Sequence, residues 1–145
     1  ALQPFILSYE ASAIALVAGE TFKLSLIGKS FKLFETAIKK YGEVHYLPEF
    51  MRGSVAENLP WFYFSKRALA KIDFENIIRK EAQNPEYASW KIMSFVYWAW
   101  AKQHPQRKYR VQAIAYLQKA IELDPHHLAG RKRSEELLSQ FTIDN

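Results

Sequence analysis

The chain has 145 residues, no cysteine and a formal net charge of +5, and 49% of its residues are apolar. This length and composition are typical of a globular protein, so we expect a single domain over residues 1–145. Without cysteine, the chain cannot use a disulfide scaffold, a thiolate metal site or a cysteine nucleophile. No segment approaches the ~20 apolar residues that a membrane-spanning helix needs, so we predict no membrane span.

We expect a cytoplasmic protein, with export after loss of a signal peptide as the alternative. The apolar run over residues 11–18 has about the length of a signal-peptide core. Glu10 precedes this run directly and no basic stretch lies before it, which favours a buried helix at this position.

The positive charge lies in the middle of the chain. Residues 66–119 hold eleven Lys and Arg against four Asp and Glu, whereas residues 1–65 hold six of each sign. A basic segment can attract acidic peptides, nucleic acid or anionic lipid. Lysines dispersed at helical spacing are also ordinary on solvated helix faces, which is the simpler interpretation.

Apolar residues recur at steps of three and four along most of the chain, which predicts helices and no strand. Glycines are expected to end the first two helices, and the later turns carry prolines, at Gly19, Gly42, Pro60, Pro85, Pro105 and Pro125. The predicted helices span residues 4–18, 24–41, 47–58, 65–82, 87–103, 107–123 and 127–141. The predicted fold class is therefore all-α.

The segment over residues 60–64 is a dense aromatic loop before the fourth helix, for which Ser65 is a candidate N-cap. Exposed aromatic clusters promote aggregation, so core packing is the favoured interpretation of this loop. The alternative is a surface for a partner or for self-association.

The clearest repeated pattern lies at residues 113–125. Ala113 and Ala120 are small enough to let a paired helix approach closely, and Leu117 fills the space between them. Pro125 then forces a turn. This pattern resembles the second helix of a tetratricopeptide repeat. The first helix of such a repeat carries a W-x-x-L-G-x-x-Y pattern. Trp90 and Tyr97 match it here, with Met93 in place of the Leu and Ser94 in place of the Gly.

Weaker copies lie upstream, as at Ser30, Phe34 and Ala37. The tetratricopeptide resemblance implies a right-handed α-α superhelix of about three TPR-like helical pairs plus a C-terminal capping helix. Residues 50–62 also resemble an uncharacterised group of bacterial tetratricopeptide-like proteins, with an Arg-Gly pair followed by a Leu-Pro-x-Phe signature. That second resemblance implies no particular activity.

Catalytic motifs are poor in this sequence. His45 and Glu49 are four residues apart, but the His-Glu-x-x-His pattern of zinc proteases is missing and Pro48 lies between them. His126 and His127 fall in a predicted turn, and no glycine-rich phosphate loop is present. We therefore expect no enzymatic activity, no metal ion and no cofactor.

The repeat resemblance implies that the first helices of stacked pairs line a concave groove. In this register the groove-lining residues are Glu10, Ile14, His45, Arg52, Lys91, Phe95 and Trp98. We expect the groove to bind a peptide or protein segment, with the two cations favouring an acidic one and the aromatic rings supplying most of the affinity. The alternative for Phe95 and Trp98 is packing against the seventh helix.

Nucleic-acid binding is the alternative function. Arg107, Lys108 and Arg110 lie beside Tyr109, and residues 131–133 form a second basic cluster. Basic residues next to aromatic ones suit phosphate contact combined with base stacking. No recognised nucleic-acid motif is present, and the Arg131–Glu135 spacing predicts a pair within one helix, so nucleic acid is the less expected partner.

Overall fold

The computed structural model describes residues 2–143, with side chains through residue 141. Over this range the chain forms seven α-helices, one 3₁₀ turn at residues 107–109 and no strand, which confirms the predicted all-α class. The helices are α1 (Gln3–Thr21), α2 (Ser25–Tyr41), α3 (Leu47–Glu57), α4 (Phe64–Gln83), α5 (Trp90–Gln103), α6 (Arg110–Leu123) and α7 (Arg131–Ile143). The right-handed superhelix of repeat pairs stays a prediction.

The helices form two compact units, Ala1–Lys80 (unit 1) and Glu81–Asn145 (unit 2). Unit 1 contains α1, α2, α3 and most of α4, and unit 2 contains α5, α6 and α7. The expectation of one domain over residues 1–145 stays a prediction.

In unit 1, α1 packs against both α2 and α3. Small residues set the distance between α1 and α2, because Ala11 and Ser30 are both fully buried. The Ser30 hydroxyl donates a hydrogen bond of 2.6 Å to the Ala11 carbonyl oxygen. Phe34 and Ala37 follow on the same buried face of α2 and are also inaccessible to solvent. The weak upstream repeat pattern therefore marks the packed face of α2.

Two buried ion pairs join α3 to α4. Arg52 donates from Nε and Nη2 to the two carboxylate oxygens of Asp73, at 2.8 and 2.7 Å. Lys80 donates to the Glu49 carboxylate and, at 2.8 Å, to the Gly42 carbonyl oxygen. The second pair thus fixes the turn between α2 and α3 as well as the two helices.

In unit 2, α6 packs against both α5 and α7, and small residues lie at the contacts. Ser94 and Ala120 are fully buried. The Ser94 hydroxyl donates to the Ala120 carbonyl oxygen at 2.8 Å and accepts from the Gly130 amide at 3.1 Å. A Cβ atom at Gly130 would lie 2.5 Å from the Ser94 carbonyl oxygen, so only glycine fits there without a shift.

Asp124 organises the turn that precedes α7. Its carboxylate accepts hydrogen bonds from the backbone amides of Leu128, Ala129 and Arg131, at 2.7, 2.7 and 3.1 Å. Burial opposes ionisation of Asp124, but the three amides outweigh it and hold its pKa below the ordinary value. The predicted helix start near His127 is wrong, because His127 adopts a left-handed φ of 57° within this turn.

Other predicted helix ends also differ from the structure, and α6 begins at Arg110 after a 3₁₀ turn instead of at residue 107. Helix α1 continues through Gly19 and ends at Thr21, followed by Phe22 as its C-cap in the left-handed conformation. Helix α5 begins at Trp90 and not near Tyr87, because the Ser89 hydroxyl accepts a hydrogen bond from the Ile92 amide and caps the helix. Helix α4 begins at Phe64, so Ser65 lies inside the helix and does not cap it.

The core-packing interpretation of the aromatic loop is wrong for three of its residues. The exposed fractions of Trp61, Phe62 and Phe64 are 71%, 49% and 69%. Leu59, which directly precedes the loop, is buried instead. Its carbonyl oxygen accepts a hydrogen bond from the Arg67 guanidinium, which ties the turn to α4. With Leu59 anchored inside, the rings that follow it extend into solvent.

Candidate functional site

An open apolar groove of about 580 Å³ lies in unit 1, where it is lined by α1, α3 and the segment over residues 58–60. Ser12, Ala15 and Gly19 of α1 lie at steps of three and four and therefore share one face of the helix. Because these side chains are small, α1 leaves open space on this face. Phe50 and Val55 of α3 also line the groove.

The groove offers few polar groups to a ligand. The Ser54 hydroxyl donates to the Phe50 carbonyl oxygen and the Asn58 amide donates to the Ser54 carbonyl oxygen, both at 2.8 Å. These polar groups are thus engaged with the backbone of their own segment. Among the described residues, no carboxylate, imidazole or basic side chain lines the groove. Its surface therefore suits the burial of apolar groups and offers no acid–base pair for catalysis.

Part of the groove wall consists of large apolar side chains that remain exposed to solvent. Leu16, Phe22 and Leu24 all line the groove and are each at least half exposed. Large apolar side chains that remain exposed next to a concave apolar surface are a common feature of ligand and partner sites.

The sequence-predicted site residues of unit 1 lie away from this groove. Glu10 is exposed on α1, and Ile14 is half-buried. The His45 ring lies 4.8 Å from each of the Phe5 and Tyr46 rings, and its Nδ1 accepts a hydrogen bond from the Leu47 amide. Burial among these rings lowers the pKa of His45. None of these predicted residues is part of the groove wall.

Arg52, which the sequence predicts to attract an acidic ligand, instead forms an ion pair with Asp73. Two of its nitrogens donate to that carboxylate, and only 12% of the Arg52 side chain is exposed. Burial raises the pKa of Asp73 to about 6, against the opposing effect of the Arg52 hydrogen bonds and charge. The pair is therefore mainly ionised at pH 7, and its charge is internally neutralised.

The remaining predicted residues lie in unit 2. Lys91 is exposed, with its ammonium 5.5 Å from the centre of the Trp90 ring. The Phe95 and Trp98 rings are 5.3 Å apart. The guanidinium of Arg133, which belongs to α7, lies over both of these rings, at 5.9 and 5.0 Å. This contact agrees with the alternative in which Phe95 and Trp98 pack against the last helix.

Several side chains of the two basic clusters, residues 107–110 and 131–133, are in contact with other groups of unit 2. Arg110 donates to the Phe141 carbonyl oxygen, and Lys108 lies 4.9 Å from the centre of the Tyr109 ring. Arg131 donates to the Glu135 carboxylate at 2.6 Å, as its spacing predicts. Only part of each cluster is therefore directed to solvent.

The part of the chain that the structure describes shows neither a metal-binding cluster nor a membrane-spanning helix. Among the described residues, no three His, Asp or Glu side chains lie close enough together to bind a metal ion. No helix of the described segment combines the length and apolarity needed to cross a bilayer.

Comparison of the chain with protein-family models, with curated proteins and with solved structures finds no match.

Proposed function

We propose that the protein binds a short amphipathic helix of a partner protein in the apolar groove of unit 1, without catalysis. The groove itself is the observation that carries this proposal: an open volume of about 580 Å³ bordered by α1 and α3. A space of this size is within the range of small-ligand pockets, and it suits a few apolar side chains of a docked peptide.

The polarity of the groove favours a helical ligand over an extended one. An extended peptide exposes backbone N–H and C=O groups, which would lose their water against apolar walls and find few partners there. A helix satisfies its own backbone hydrogen bonds and presents apolar side chains at i, i+3, i+4 and i+7. Such a helix can bury its apolar face in the groove while its polar face stays in water.

The packing of the helices supports a binding role of the tetratricopeptide kind. In both units a serine hydroxyl bonds to a carbonyl oxygen of the neighbouring helix, from Ser30 to Ala11 and from Ser94 to Ala120. Arrays of helical pairs with close contacts of this kind present concave binding surfaces. The superhelix of about three pairs with α7 as its cap is part of this proposal.

Selection from a random peptide library displayed on phage tests this function. Selected peptides should carry apolar residues at helical spacing, and synthetic versions should become helical on binding. Because the groove wall has no charged side chain, their Kd should change by no more than about twofold between ~0.05 and ~0.5 M salt. Selected peptides without apolar periodicity would contradict the proposal. Binding of single-stranded RNA that weakens steeply with salt would instead support the nucleic-acid alternative.

A further inference from the structure

We propose that the aromatic tip, defined as Trp61, Phe62 and Phe64, docks the protein onto the surface of an anionic lipid bilayer. This inference does not rest on peptide binding in the groove, although Pro60 and Tyr63 of the groove wall flank the tip. The tip residues follow the buried Leu59, and Phe64 is the first residue of α4. All three side chains are about half exposed or more.

The three rings form one continuous apolar patch. The Trp61 ring lies 6.0 Å from the Phe62 ring and 5.8 Å from the Phe64 ring, each in an edge-to-face arrangement. Aromatic rings, and tryptophan above all, are favoured at the boundary between lipid headgroups and acyl chains. A patch of this kind can enter that boundary without a complementary pocket.

Positive charge follows the aromatic tip along the same helix face. Phe64, Arg67 and Lys71 are spaced at i, i+3 and i+7 on α4, and all three are exposed. Between residues 58 and 72 the sequence contains three cations and no Asp or Glu. This segment therefore complements an anionic surface.

The axial positions of these side chains match the layers of a bilayer. With a rise of 1.5 Å per residue, Arg67 and Lys71 lie about 5 and 10 Å along α4 from Phe64. Interfacial protein segments place apolar side chains ~5–10 Å into the headgroup and acyl boundary. When the rings are at that depth, Lys71 lies at the level of the phosphates. The Arg67 guanidinium, which is hydrogen-bonded to the Leu59 carbonyl oxygen, adds positive charge below it.

The charge pattern also favours a bilayer over a second copy of the chain as the partner of the aromatic tip. Two tips brought together would place the cations of one copy beside those of the other, which opposes association. An anionic bilayer instead accepts the rings and attracts the cations. We therefore expect binding to lipid and no dimer formed through the tip.

Co-sedimentation of the full chain with phosphatidylcholine vesicles, with and without about 30% phosphatidylserine, tests the proposal. The protein should bind the anionic vesicles and bind the neutral ones much more weakly. The triple variant W61S/F62S/F64S should lose anionic binding by about tenfold or more. Trp90→Ser is the matched control, since it removes an exposed aromatic ring from unit 2, and it should bind like the wild type.

A charge variant keeps the test independent of the triple variant's folding. Lys71→Gln should weaken binding to the anionic vesicles by about fivefold. Lys32→Gln removes the same charge from an exposed position on α2 and should change binding by less than about twofold. Absence of wild-type binding to anionic vesicles, or equal effects of the two lysine variants, would overturn the proposal. So would a concentration-dependent dimer in sedimentation velocity that the triple variant abolishes.

Discussion

Asp73→Ala should lower the free energy of unfolding by about 3–5 kcal/mol. The substitution removes the carboxylate that accepts both hydrogen bonds from Arg52, and it leaves a largely buried guanidinium without its partner. Urea denaturation followed by circular dichroism measures the loss. The double variant Arg52→Met/Asp73→Leu should recover most of it, because an apolar pair of similar volume carries no charge that must be desolvated.

The same variant has a defined dependence on pH. Burial raises the pKa of Asp73 from 3.8 to about 6. The folded protein therefore binds the Asp73 proton more tightly than the unfolded chain does. This stabilising contribution is present at low pH and is lost as the pH rises through about 6. The cost of Asp73→Ala should therefore be about 1 kcal/mol larger at pH 5 than at pH 7. A total cost below about 1 kcal/mol would show that the ion pair does not hold α3 against α4.

Leu117→Ala should be the most damaging single truncation in the α5–α6 pair, at about 2–5 kcal/mol. Leu117 is fully buried between Ala113 and Ala120, so truncation leaves a cavity that its neighbours cannot fill without moving. Urea denaturation measures this cost as well.

Trp90→Ala is the matched comparison from the same repeat pattern. Although Trp90 occupies the tryptophan position of the first-helix pattern, 42% of it is exposed. Its truncation should therefore cost no more than about 1 kcal/mol. The reverse order of the two costs would show that the repeat register is shifted.

The helices and their packed faces are largely predictable from the sequence. The apolar spacing that predicts α2 and α6 also identifies Phe34, Ala37, Ala113 and Leu117, which are all fully buried. Close helix packing requires small residues, and such residues are visible in the pattern. The helix starts are less predictable, because the Ser89 cap and the Asp124 turn depend on hydrogen bonds that residue type alone does not locate.

The repeat register does not predict the groove, because it assigns the ligand-binding surface to other residues. It assigns Arg52 to a ligand-binding surface, whereas the chain places Asp73, 21 residues away, against its guanidinium. The available signal was α1 itself, because its apolar residues are not confined to one face and it carries small residues at Ser12, Ala15 and Gly19. A helix with a second apolar face implies a second contact, but the sequence does not say whether that contact is internal or external.

The affinity of a selected helical peptide for Ala15→Trp, compared with Ala13→Trp, tests the binding function most directly. Both variants place the same indole on α1, but Ala15 lines the groove whereas Ala13 is exposed and does not. Isothermal titration calorimetry should show a loss of about tenfold or more for Ala15→Trp, because the indole occupies volume that the peptide needs, and a change of less than about twofold for Ala13→Trp. Equal affinity of the two variants would contradict the account, because the peptide would then bind outside the groove.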